Sequence, residues 1–135
     1  MTKGKWVSRA KPNKSGIPDA VREEVTAKAH ELIEMVLKPK YLKPPPENPY
    51  GNYIIDLYGK WYRHYFYLCT TYRVTGPNAM VPSFEWKFAR LEYAGNRCFH
   101  LSFMRYTGKE WVGLYAGLSL DECLTAIRDE SYFEM

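Results

Sequence analysis

The chain has no apolar run approaching the roughly 20 residues that a membrane-spanning helix requires. Its first residues, MTKGKWVSRAK, carry charge but no apolar segment of the kind a secretory signal needs, so a cytoplasmic protein without membrane attachment is expected. Cysteine is scarce: Cys69, Cys98 and Cys123 are odd in number, widely spaced, and each sits inside an apolar pattern. Buried free thiols are the expectation, and the spacing supplies neither a disulfide framework nor a zinc site, since no CxxC or HxxxH pair occurs. Glycine-rich phosphate loops, a GxSxG elbow and a dinucleotide fingerprint are also missing, as are internal repeats. These absences leave no metal, no cofactor and no catalytic residue to name, and the chain is expected not to be an enzyme.

Acid is missing from one end. Residues 1–17 hold Lys3, Lys5, Arg9, Lys11 and Lys14 and no Asp or Glu. Taking these five from the 19 Lys and Arg leaves 14 against 15 Asp and Glu, so the whole basic excess lies in the tail. Together with Trp6 it forms a cationic arm with one aromatic anchor, suited to phosphates or to an acidic partner. The plainer reading is a solvated terminus. Residues 1–16 are read as this tail and 17–135 as a single domain.

What the chain has in quantity is aromatic side chains, 16% of residues with 12 Tyr and 4 Trp. They concentrate in NYIIDLYGKWYRHYFYLCTTYR, Asn52 to Arg73, which reads as a hairpin: a strand over Asn52–Leu57, a turn at Gly59, and a strand over Trp61–Thr71. Alternating patterns predict further strands over Phe84–Tyr93, Cys98–Tyr106 and Glu110–Tyr115. The turn signals between the last two pairs, Ala94–Arg97 and Thr107–Lys109, are short, so neighbours pair antiparallel. Before the sheet, Val21, Val25, Ala29, Leu32, Ile33 and Val36 form a helical stripe opened near Pro18-Asp19 and closed by Pro39. The segment KPKYLKPPPENPYGN then reads as an extended connector. After the sheet, Ser119-Leu120-Asp121-Glu122 is a capping box that opens a second helix, with Leu120, Leu124 and Ile127 inward. The predicted fold is α+β: one antiparallel meander of about five strands, a long N-terminal helix on one face and a short C-terminal helix.

The stretches KFARLEY, LSFMRYTGKEWV and GLSLDECLTAIRDESYF resemble an uncharacterised bacterial family known only as a domain of unknown function. The resemblance runs from about Phe84 to Phe133. It implies the helix, aromatic meander and C-terminal helix of that family, and no activity.

Strand parity sorts the side chains. Phe66 and Leu68, with Trp86, Phe88, Phe99, Leu101 and Phe103, are expected inward, as are Tyr62 and His64. The other face would carry Trp61, Arg63, Tyr65, Tyr67, Lys87, Tyr93, His100, Met104 and Tyr106. Rings interleaved with cations suit stacking on single-stranded bases. The candidate ligand-binding set is therefore Lys3, Lys5, Trp6, Arg9, Lys11, Lys14, Arg63, Tyr65, Tyr67, Lys87 and Tyr106, with RNA, single-stranded DNA or an acidic protein as partner. A face covered by another element or by a second copy, making a structural or dimerisation module, accounts for the same rings. The enzymatic alternative is a metal-dependent nuclease. Asp56 and the Glu85-x-Lys87 triplet resemble the carboxylate and lysine set of a large nuclease superfamily, with Glu34 as helper, but the strand order differs from that family's pattern.

Overall fold

The computed structural model describes residues 16–45, 51–76, 80–105 and 109–135. The arm from Lys3 to Lys14, including Trp6, and Tyr106 lie outside the described residues. The elements run α1 (Asp19–Leu32), a wide π-turn (Ile33–Leu37), α2 (Lys38–Tyr41), β1 (Tyr53–Tyr62), β2 (Tyr65–Arg73), β3 (Ser83–Gly95), β4 (Cys98–Met104), β5 (Trp111–Ser119) and α3 (Leu120–Asp129), then a 3-10 turn, Ser131–Phe133. The five strands form one antiparallel sheet in the order β1-β2-β3-β4-β5, as the short turns predicted.

Both helices contribute to the core on one face of the sheet. Val21, Val25, Ala29, Ile33 and Leu37 belong to the same buried cluster as Phe66, Leu68, Phe88, Leu91, Phe99 and Leu101, and α3 adds Leu120, Cys123, Leu124 and Ile127. The helix α1 touches β1, while α3 touches β4 and β5. Lys28 on α1 bonds Asp121 on α3 at 2.9 Å, joining the two helices. The capping box forms as read: the Glu122 N–H donates to Ser119 Oγ at 3.1 Å and the Ser119 N–H to the Glu122 carboxylate at 2.9 Å.

The first helix does not stop before Pro39. Proline has no N–H and its ring would strike the carbonyl four residues back. The chain instead widens, with the Lys38 N–H reaching the Ile33 carbonyl five residues back, and a last helical segment starts around the proline. The extra residue per turn changes which side chains face inward. Of the expected stripe, Ile33 is buried while Leu32 and Val36 are half-buried, and Leu37, outside the stripe, is buried in their place.

The opening hairpin is also placed differently. Tyr62 pairs with Tyr65, so the turn is the two-residue loop Arg63-His64, four residues beyond Gly59. Arg63 takes the left-handed conformation, with φ of 57°, and its carbonyl accepts the Arg22 guanidinium at 3.0 Å. Gly59 lies within β1 for a packing reason: a Cβ there would sit 2.5 Å from Cζ of the Phe66 ring. Phe66 is itself held by Trp61 edge-on at 5.3 Å. Gly59→Ala, which in an open strand removes glycine's entropic penalty, is expected here to cost about 1–3 kcal/mol through overpacking. Urea unfolding measures it; a variant as stable as the parent would show that the ring yields freely.

Two face assignments change as a consequence. With the turn moved, Trp61 lies on β1 opposite Phe66 and shares its inward face, donating through Nε1 to Thr26 at 3.0 Å. Tyr62, opposite Tyr65, turns outward and is exposed. Further on, Leu68 pairs with Ala89 while Cys69 pairs with Lys87, leaving Phe88 as an extra residue. A bulge reverses parity beyond it. Tyr93 therefore packs inward on Phe99, and Arg90 and Glu92 take the outer face. The strand β5 runs to Ser119, longer than the predicted Glu110–Tyr115.

Candidate binding face of the sheet

The face away from the helices is built from alternate residues of four strands. Direct pairing places Tyr58 beside Cys69 and Lys87, Lys60 beside Tyr67 and Arg90, and Tyr65 beside Glu92. Residues opposite one another in an antiparallel pair share a face, so these groups form one continuous surface. From β5, Trp111 joins it through its pairing with Met104.

The rings lie in a row. Tyr65 and Tyr67 have centroids 5.9 Å apart, and Tyr67 and Trp111 are 5.7 Å apart. The Arg90 guanidinium carbon is 4.3 Å from the Tyr65 centroid and 4.7 Å from that of Trp111. A weakly hydrated, planar cation held against two rings is a favourable arrangement for cation–π attraction. Lys87 Nζ lies 5.8 Å from the Tyr67 ring.

Beside the rings is an ionic cluster. The Glu85 carboxylate accepts from Lys60 Nζ at 2.9 and 3.1 Å, ion-pairs with Lys87 Nζ at 3.1 Å, and accepts the Tyr58 hydroxyl. The bond to Glu85 holds the Lys87 pKa above its ordinary value, outweighing partial burial. Beneath the lysines lies Cys69, fully buried; burial pushes its thiol up to about 11 despite Lys60 and Lys87. It is a packing group rather than a nucleophile. Cys123, pushed up to about 12 by burial, is likewise a core thiol. His100 accepts the Gly117 N–H through Nδ1 at 3.2 Å, which fixes the ring against β5.

Of the residues expected to bind, the structure brings Tyr65, Tyr67 and Lys87 together. Arg63 sits apart in the β1–β2 turn, over the Tyr62 ring at 5.3 Å. Sequence reasoning missed Tyr58, Lys60, Arg90 and Trp111. Trp111 carried no signal in the expected register, because a turn over Thr107–Lys109 sets Met104 opposite Val112, whereas the pairing found is Met104 with Trp111. Arg90 carried none, since the bulge at Phe88 reverses its face.

The residues of the nuclease alternative divide. Glu85 and Lys87 meet, but as an ion pair. Asp56 lies across β2 from Glu85, both being paired to Thr71, so two strand spacings, roughly 9–10 Å, separate their backbones. The Asp56 carboxylate accepts the Leu57 N–H at 2.8 Å and lies 3.7 Å from Lys38, which also bonds Glu34 at 2.7 Å. Among the described residues, no three His, Cys, Asp or Glu side chains are grouped to hold a metal ion. None of the described helices is long and apolar enough to cross a membrane.

Comparison with known proteins found no match among curated proteins or solved structures. A family match covers residues 17–134, taking in the first helix and the proline connector, which the resemblance of the second half did not reach, and leaving the basic arm outside. The chain belongs to the family of the domain of unknown function DUF3024.

Proposed function

We propose that this protein is a non-enzymatic, cytoplasmic binding module for single-stranded nucleic acid. The observation that carries the reading is the row Tyr65, Tyr67 and Trp111 with Arg90 held between two of its rings. Every nucleobase has a π-face, so the partly exposed rings of Tyr65 and Trp111 accept bases without reading their sequence, over Tyr67, which is 8% exposed and supports them from beneath. Lys60 and Lys87 stand beside the rings, where a backbone phosphate would follow a stacked base. The basic arm, through Lys3, Lys5, Arg9, Lys11 and Lys14, supplies further phosphate contacts.

The two parts separate by salt. Anisotropy of a labelled single-stranded oligonucleotide, titrated with the full chain, is expected to show binding that weakens steeply with salt. Tyr65→Ala or Trp111→Ala should each cost about 1–3 kcal/mol of affinity at every salt concentration and leave the slope unchanged. Replacing the five cations of the arm by Gln should flatten the slope by about 0.7 for each phosphate that is no longer neutralised. No binding of the intact protein at low salt refutes the reading. A dimer seen under the same conditions, disrupted by Trp111→Ala, would then assign the face to a second copy.

A further inference from the structure

The Glu85 cluster has the form of an occupied anion site. Two ammonium groups and a phenol converge on one carboxylate, from three residues on two strands that flank β2: Tyr58 and Lys60 on β1 and Lys87 on β3. The residue paired with Lys87 on β2 is the buried, neutral Cys69, which also pairs with Tyr58, so no anion lies beneath them. Like charges held this close require an anion between them, and here the chain provides its own. The Lys60, Lys87 and Glu85 side chains nonetheless keep 41%, 39% and 28% of their exposure. Ion pairs this open are individually weak, so an external anion can replace the internal one at small cost.

We propose that Lys60, Lys87 and Tyr58 form a phosphate subsite of the binding face, and that the Glu85 carboxylate is its resident competitor. A phosphodiester presents two unesterified oxygens in place of the two carboxylate oxygens, with the same single negative charge. Its entry releases Glu85 toward solvent and keeps all three donors satisfied. The subsite adjoins Tyr67, which pairs with Lys60 and Arg90, and this places the phosphate beside the base platform. Glu85 therefore sets a threshold: weak anions do not displace it, and a polyanion anchored by its stacked bases does. The inference rests on the nucleic-acid reading of the face and adds to it where the backbone lies and what holds the site closed.

Glu85→Gln tests this, with Glu92→Gln as its control. Glu92 shares the outer face, opposite Tyr65 and His100, and its replacement changes net charge by the same amount. Oligonucleotide titrations at several salt concentrations are expected to show Glu85→Gln binding roughly fivefold tighter than the parent, with a slope steeper by about 0.7 per additional phosphate neutralised. Glu92→Gln should change affinity by less than half as much on a logarithmic scale. Glu85→Asp, which keeps the charge on a shorter stem, should fall between parent and Glu85→Gln and serves if the latter unfolds. Equal effects of Glu85→Gln and Glu92→Gln, with the parent still binding, overturn the subsite and leave the face reading standing. Failure of every chain to bind overturns both, whereas binding by Glu85→Gln alone supports both.

Discussion

Phe133→Ala is expected to destabilise the protein by about 3–5 kcal/mol, the range for emptying a fully buried aromatic site. Phe133 is third from the end of the sequence, yet it is 2% exposed and among the largest fully buried side chains of the described structure. It gets there because α3 ends at Asp129, the chain extends through Glu130, and one 3-10 turn swings the ring back onto Phe103, edge-on at 6.4 Å between centroids. Tyr132, in the same turn, lies 4.9 Å from the Phe103 ring and stays exposed. Urea unfolding should give a lower midpoint with an unchanged slope, since the exposed surface on unfolding barely alters. Tyr132→Ala, as a neighbour that stays in water, should cost far less. A loss below about 1 kcal/mol for Phe133→Ala would mean that the last residues do not close the core.

Nothing in the pattern of the last residues announced this. The helix α3 was readable because a capping box is a local signal with a local cause. A single aromatic after a helix end has no period, and its burial is decided by the core it meets, Phe103 on β4 included.

Leu101→Ala is the second large effect, about 2–5 kcal/mol. Leu101 is wholly inaccessible, opposite Leu91 on β3 and Tyr115 on β5. The same unfolding experiment measures it. Ser102→Ala, one residue along on the other face, is expected to stay within about 1 kcal/mol of the parent, since one small hydroxyl is removed and no large cavity is made. If the two variants lost equal stability, the inward and outward faces of β4 would be wrongly assigned.

Leu101 and Phe103 were legible because β4 alternates cleanly, and so were the strand order and both helices. The errors in assigning sheet faces share one cause. Strand parity is a count from a starting point, and the count fails wherever a residue is inserted or a turn is moved. Taking Gly59 as the turn reversed Trp61 and Tyr62; the bulge at Phe88 reversed Tyr93 and hid Arg90. The glycine was read as turn chemistry when its part is to leave room for the Phe66 ring. The candidate face was thus half legible: Tyr65, Tyr67 and Lys87 followed from alternation, whereas Arg90 and Lys60 depended on insertions and register that only pairing reveals.

The wide turn at Ile33–Leu37 has a consequence for how the helix meets the sheet. At 3.6 residues per turn, a step of four residues overshoots a full turn by about 40°. Buried residues at Val21, Val25, Ala29 and Ile33 therefore wind slowly around α1. Inside the wide turn, a full circuit takes more than four residues, so the step from Ile33 to Leu37 falls short and cancels part of that drift. The turn acts as a phase corrector between two rigid rods. It lets Leu37 return to the core while Lys38 emerges beside Asp56 at the margin of β1. Proline, by forbidding the ordinary turn, fixes where the correction happens, and a helix that would otherwise roll off the sheet follows its edge to Tyr41.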